Sequence, residues 1–568
     1  MSFNSWLQNL RSALAPGRGQ RHYGRRGSLR AATPRPNLEV LEDRCLLSGG
    51  VVLHWNQLAL DAIRQVKPNP LVASRILAIE QVAVYDAVNA IDGSFAPYFA
   101  HVHASHGASL EAAAAQAGHD TLVALFPTLT STFDAALAAD LVGIPAGLAR
   151  QGSDVGQNVA QQILALRSSD GSTAVVTYVP GTNPGDWQPT PPTFLPALAP
   201  QWASVTPWAM TSGSQFRPPT PPELSSTDYA TAFNEVKDLG RSDSTTRTPD
   251  QTQIASFWKD AAGTSYAFGH WNEIAAQVSV NEGLDLVQNA RLFALLNIAE
   301  ADALIDTWDA KFTYNFWRPI TAIQFPGDST LNPATESDPA WTPLIVTPNF
   351  PSYMSAHSTV SSAAAAILTA EFGQQYQFSI GSDGLAGVTR SFASFDLAAA
   401  EAGQSRIYGG IHFQFDNQAG LASGQALGQY VVGNFLLPVE QKNEGHGRPD
   451  DHTGGQAAFR AEGPALLLAG PSNASPASWG VFGGQQDSAL ATGQPRLPQP
   501  PQPTEVLAAT SVDKDQPIQH AVAWDRLAAR ALDLRVFDQA LADLDDSMFA
   551  DPLQGDEVFV RLGQVRSQ

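Results

Sequence analysis

Apolar residues recur at helical spacing through most of the chain. Leu71, Ile76, Leu77, Ile79, Val82, Val84, Val88 and Ile91 fall close to the helical period and predict a helix over 71–91. The same pattern predicts helices over 110–125, 230–239, 252–259, 355–372 and 417–437. Residues 271–308 also read as helix, with Gly283 as the break between two. Strand signals are few, and 174–179 is the best of them. Between 172 and 222 the chain carries Pro189, Pro191, Pro192, Pro196, Pro200, Pro218, Pro219 and Pro221. Proline lacks the amide donor that a helix interior requires, so this stretch is a loop, of a length usually kept for functional covers. The pattern gives an all-α fold.

Composition divides the chain further. Residues 1–48 are rich in arginine (Arg11, Arg18, Arg21, Arg25, Arg26, Arg30, Arg35, Arg44) and lack both lysine and the apolar run of an ordinary secretory signal. Their closing Leu-Glu-Asp-Arg-Cys-Leu-Leu-Ser string resembles a leader of large exported bacterial proteins, which implies an exported, extracellular or cell-envelope location; a basic tail is the other reading. Residues 49–440 form the helical catalytic domain, 441–485 a glycine-rich closing segment, 486–510 a Pro/Gln linker and 511–568 an acidic helical tail with an amphipathic stretch over 517–548. Of the 568 residues one is cysteine, Cys45, so neither an intrachain disulfide nor a cysteine-based metal site can form. A formal charge of -21 argues against a nucleic-acid binder. No stretch reaches the roughly 18 consecutive apolar residues of a membrane span, so an integral membrane protein is not expected.

The candidate chemistry sits in three strings. The first is Lys311-Phe-Thr-Tyr-Asn-Phe-Trp-Arg318-Pro319, where two cations seven apart would lie on one helix face and reach one point. Long cationic side chains snorkelling to water from a packed helix would look the same. The second, Pro351-Ser-Tyr-Met-Ser355-Ala356-His357-Ser358, reads as a loop entering a helix, with Ser352 and Ser355 as N-cap candidates. Such a helix start offers free amides and a positive dipole end to an anion, and His357 in that turn could move a proton. The third is Ser405-Arg406-Ile-Tyr-Gly-Gly-Ile-His412, where the glycines leave room for close approach.

Taken together and in this order, Lys-x6-Arg-Pro, Ser-x-His and Ser-Arg-x5-His resemble the three-part signature of the superfamily uniting vanadium haloperoxidases with acid and lipid phosphatases. Trp308, three residues before Lys311, and Phe350, just before Pro351, resemble the chloroperoxidase branch in particular. The resemblance covers about 70–436, its specific part 308–412. It implies an all-α helical bundle with the site at one end, and a homodimer as in related enzymes.

It also implies roles. Vanadate, or phosphate in the same site, would be bound by Lys311, Arg318, Ser355, the Ala356 amide and Arg406, with His412 as the vanadium ligand. His357 would manage protons as hydrogen peroxide enters, Lys311 would polarise the peroxide, and Trp308 and Phe350 would line the substrate pocket. A halide would then be oxidised to a hypohalous-acid equivalent. The same residues fit a phosphatase, with His412 attacking a phosphate ester and His357 protonating the leaving group. A third reading, from another class, is a non-catalytic exported binding or scaffold protein; the intact Lys311, Arg318, His357, Arg406 and His412 speak against it. Asp260 is a candidate partner of Arg406 or an exposed helix-end acid, and Asp416 a candidate partner of His412 or an N-cap. His446, Asp450, Asp451 and His452 have metal-binding chemistry in a setting that reads as a solvated loop. The family commonly has glycine where this chain has Ala356; were a positive φ needed there, alanine would cost about 1 kcal/mol.

Overall fold

The computed structural model describes residues 50–105 and 107–439. The arginine-rich leader, Cys45, the cluster from His446 to His452 and the acidic tail lie outside the described residues.

Local signals set the helix ends. Helix α1 (Gly50–Val66) is followed by α2 (Pro70–Asp92), where Asn69 caps the amides of Leu71 and Val72 and Gly93, at φ 75°, ends the helix. Then come α3 (Leu110–Leu125), α4 (Thr130–Asp140) and α5 (Ala146–Arg167). After the proline-rich stretch lie α6 (Thr227–Leu239), α7 (Pro249–Phe257) and α8 (Tyr266–Glu282). The break expected at Gly283 is present: Gly283 takes φ 66° and Asp285 caps α9 (Leu286–Tyr314) through a capping box with Gln288. Short helices α10 (Pro319–Gln324) and α11 (Asp328–Leu331) precede α12 (Ala356–Phe372), α13 (Phe395–Tyr408) and α14 (Gln414–Asn434).

The central element is α9, buried along nearly its whole length and packed against α2, α12 and α14. Its Asp302 carboxylate accepts from the amides of Trp208, Ala209 and Met210 at 2.7, 2.7 and 2.8 Å, tying the proline-rich loop to the core. These are charge-assisted bonds in a dry setting, the stronger kind. The α12–α14 contact is close because glycines face backbone: a Cβ on Gly424 would lie 2.1 Å from the Thr359 carbonyl oxygen. That approach fixes where α12 begins.

Two expectations are corrected. Residues 174–179 form no strand; Val175 is 98% and Val179 78% exposed, and no neighbouring strand satisfies them. The sheet lies elsewhere, as an antiparallel hairpin of β1 (Phe378–Gly381) and β2 (Thr389–Phe392), held by Phe378, Phe392 and Phe395 rather than by a long alternating run. Nor do Lys311 and Arg318 share a helix face. The helix stops at Asn315, which takes φ 51°, and Arg318 is the N-cap of α10. Among the described residues no single helix is long and apolar enough to cross a membrane.

Candidate active site

The site forms where α9 ends, α12 begins and the α13–α14 turn passes. Asn315 is held from outside, its side chain by the Tyr178 hydroxyl and its carbonyl by the Trp187 amide at 2.7 Å. The chain thus turns sharply and returns Arg318 to the neighbourhood of Lys311.

Lys311 is fully buried, and its ammonium donates to the carbonyls of Pro351, Ser352 and Met354 at 2.9, 2.8 and 2.6 Å. An ammonium has three N–H donors, so as placed here Lys311 braces the 351–354 loop and offers an anion its charge rather than a free donor. Burial, with Arg318 close by, pulls its pKa well below the lysine range. Arg318 donates through Nε to Phe350 O and through Nη1 to Ile411 O, both at 2.8 Å, while Nη2 is buried without a partner. Burial lowers its pKa to about 9. Phe350 lies under both cations, 5.1 Å from Lys311 Nζ and 4.8 Å from Arg318 Cζ, with Trp308 packed at 4.9 Å. Trp308 in turn donates to Leu198 O in the proline-rich loop at 3.2 Å.

Arg406, in the last turn of α13, donates through Nη1 to Trp258 O at 3.0 Å and leaves Nε buried and unpartnered. Burial brings its pKa to about 10, against the opposing charge of nearby Asp260. Asp260 is a buried residue, not an exposed helix-end acid; its Oδ1 lies 3.4 Å from His270 Nδ1.

His412 is oriented by Asp416, whose Oδ2 is 2.8 Å from Nδ1 and also accepts from the Ser352 hydroxyl and, at 3.2 Å, from the Phe413 amide. Asp416 therefore braces His412 but is not the N-cap: that place is taken by Phe413, and Asp416, the third residue of α14, accepts from its amide. Burial raises its carboxyl pKa to about 6, so it is ionised at neutral pH. An ionised carboxylate only accepts, so the proton sits on Nδ1 and Nε2 keeps its lone pair, 3.0 Å from Arg318 Nη1. Burial and then the charge of Arg318 hold the His412 pKa well below 6.5, which keeps the ring neutral.

His357 lies in the first turn of α12, capped by Ser355. Its Nε2 is buried without a partner, and the Lys259 backbone close to the ring works against the effect of burial on its pKa. Burial, followed by the charge of Arg406, holds this imidazole neutral as well. Ala356 opens the helix and is not among the residues of positive φ, so its methyl group brings no backbone penalty.

The arrangement is a buried cluster of three cations, two neutral imidazoles and the carboxylates of Asp260 and Asp416. Arg318 Nη2 and Arg406 Nε are donors without acceptors, and the first amides of α12 have no intrahelical partner. A buried excess of positive charge with orphaned donors suits a tetrahedral oxyanion, so the residues fit vanadate or phosphate. Several groups that build the pocket carried no sequence signal of this role. The carbonyls of Phe350, Pro351, Met354, Trp258 and Ile411 are backbone atoms, and Ser352 was legible only as a cap candidate.

Comparison with known proteins agrees. Residues 291–440 match the VCPO second helical-bundle domain. The vanadium chloroperoxidase of Curvularia inaequalis is 25% identical over 269 residues, a match spanning 39% of this chain and 43% of that relative's length. The crystal structure of the first bacterial vanadium-dependent iodoperoxidase superposes with a TM-score of 0.62 at 28% identity, covering 70% of this chain and 99% of that one. A holo bacterial vanadium-dependent chloroperoxidase shares the fold, with a TM-score of 0.53 at 16% identity over 64% of this chain and 91% of its own. The all-α bundle, the ordered three-part signature and these matches together support the vanadium haloperoxidase superfamily for this chain.

Proposed function

We propose that this chain is a vanadium-dependent haloperoxidase that holds vanadate at His412 and oxidises a halide with hydrogen peroxide. The observation that carries the proposal is the set of buried, unpartnered polar atoms, Arg318 Nη2, Arg406 Nε and His357 Nε2, beside a His412 whose Nε2 is left unprotonated by Asp416 and accepts from Arg318 Nη1 at 3.0 Å, a contact that a ligand at Nε2 would replace. His412 Nε2 would bind vanadium, while Arg318, Arg406, the Ser355 hydroxyl and the Ala356 amide would hold the oxygens. Bound vanadate supplies Lewis acidity that activates peroxide towards the halide without a change in metal oxidation state.

The chain's own residues do the rest. Arg318 and Arg406 are fixed by carbonyls before any ligand arrives, so their remaining donors are preorganised. Lys311 adds charge and clamps the loop that leads to Ser355. His357, neutral and with a bare Nε2, accepts a proton from an incoming hydroxyl-type oxygen and returns it. Trp308 and Phe350 form an aromatic wall beneath the cations, which would line the halide approach.

The test is peroxide- and halide-dependent bromination or iodination of a dye by the purified chain, with and without orthovanadate, beside His412→Ala. Turnover that needs vanadate and is lost in the variant supports the proposal. Vanadate-inhibited hydrolysis of a phosphate ester without halogenation would assign the site to phosphoryl transfer instead. A folded chain silent in both assays would leave a binding protein.

A further inference from the structure

The segment from Trp258 to Asp260 touches both ends of the site. The Trp258 carbonyl accepts from Arg406 Nη1 at 3.0 Å, the Lys259 backbone lies close enough to the His357 ring to raise its pKa, and the Asp260 carboxylate acts on the Arg406 charge. Asp260 holds a left-handed backbone, φ 44°, which aspartate tolerates at a modest cost. These three residues therefore form a strap joining an anion-holding arginine to the proton-moving histidine. Something must hold the strap in that shape.

We infer that His270 is a positioning residue for this site, locking the Trp258–Asp260 strap and through it Arg406 and His357. His270 projects from α8 and is buried. Its Nδ1 faces Asp260 Oδ1 at 3.4 Å, its Nε2 faces the Gly381 carbonyl at 2.9 Å, and its ring stacks on Trp258 at 4.6 Å and 29°. One side chain thus grips both ends of the strap and anchors them to the β-hairpin. Trp258 is also held by Glu401 at 3.0 Å, so the indole cannot swing away when the imidazole is lost; the freed part is the turn at Lys259 and Asp260. Both ring nitrogens face acceptors, which favours the doubly protonated ring. Burial works against that charge, but Asp260, Glu273 and the Gly381 carbonyl outweigh it and raise the pKa. Glu273 is itself paired with Arg64, which also reaches Asp61 and Asp383.

The inference rests on the proposed anion site, so its test uses a probe common to haloperoxidase and phosphatase readings. Inorganic phosphate binding to the full chain is measured by calorimetry for wild type, His270→Phe and His270→Gln, with thermal unfolding of each. Phenylalanine keeps the stack and loses both polar contacts; glutamine keeps an amide that reaches one of them. The expected result is a phosphate Kd at least tenfold weaker in the phenylalanine variant, with the glutamine variant between it and wild type. In histidine-labelled protein, the His357 ring N–H signal, beside the Lys259 backbone, should broaden by exchange with water in the phenylalanine variant. A folded His270→Phe chain with wild-type Kd and an unchanged His357 signal overturns the inference. Should that variant not fold, wild-type values of both readouts in His270→Gln overturn it equally. Phosphate binding absent from wild type removes the anion site and this inference with it, whereas graded binding without halogenation keeps His270 in its role and rejects only the haloperoxidase activity.

Discussion

Replacing Asp416 by asparagine isolates the brace behind His412. The carboxylate takes three bonds at once, from His412 Nδ1, Ser352 Oγ and the Phe413 amide, and its Oδ2 atom accepts all of them. An asparagine oxygen in the place of Oδ2 still accepts, but without charge, and its amide takes the place of Oδ1, which has no partner. A hydrogen bond to a charged group contributes about 1.5–3 kcal/mol, which is roughly a 10- to 150-fold change in an equilibrium. Loss of a comparable brace behind a metal-bound histidine weakens the metal by about 10–100-fold, so the two estimates agree. A second effect has the opposite sign. Lys311 and Arg318 lose a buried counter-charge, so the ligand-free protein is destabilised more than the anion-bound one. That effect offsets part of the lost affinity; with the brace dominant, orthovanadate should raise the unfolding temperature of the variant by less than it does in wild type at the same concentration. Calorimetric titration with orthovanadate and thermal unfolding at matched ligand concentrations report the net change in two independent ways. Wild-type affinity in a folded Asp416→Asn chain would refute the reasoning about the tautomer.

Other outcomes follow from the same geometry. Arg318→Lys removes the fork that reaches Phe350 O and Ile411 O together, so vanadate binding should weaken at least about 100-fold by calorimetry, about 2.7 kcal/mol by the affinity scale, despite the conserved charge. Ala356→Gly should leave vanadate affinity within about threefold, because no positive φ is needed there; a large gain would show that the methyl group obstructs the anion. Gly424→Ala would press a methyl group into the Thr359 carbonyl and should cost about 1–3 kcal/mol in chemical denaturation while weakening anion binding at the displaced start of α12. Glu80 is fully buried on α2 with both oxygens unpartnered, and burial pushes its carboxyl pKa up to about 8. A raised carboxyl pKa means that the folded state keeps the proton more tightly, so its stability is lost as pH rises from about 4.5 to 8, at up to about 1.4 kcal/mol per pH unit. Glu80→Gln should therefore gain stability progressively over that window and show little change near pH 4; an equal effect at both ends would mean the carboxyl is not protonated in the fold.

Helix periodicity and caps made most of the bundle legible. The 110–125 and 355–372 helices, the Gly283 break and the Ser355 cap all lie where spacing and capping chemistry put them, since each depends on neighbours in sequence. The hairpin was missed because its strands are four residues long and are held by aromatic packing from outside them. The 174–179 run had β-branched residues but no partner strand, which no local pattern reveals. Residue identities marked the cations and histidines of the site, and the structure brings them together. Their geometry was not legible: Lys311 and Arg318 converge through the left-handed turn at Asn315 instead of a shared helix face, and the Lys311 donors meet loop carbonyls. His270 carried no motif at all, because its partners lie on a strap and a hairpin distant in sequence.

The most direct test of the site is a crystal structure of the chain grown with orthovanadate. The account predicts vanadium bonded to His412 Nε2, with oxygens on Arg318 Nη2, Arg406 Nε and the Ala356 amide, and His357 Nε2 facing the ligand from across the pocket. Vanadate found elsewhere, or a pocket whose arginines have turned to other partners and exclude the anion, would contradict it.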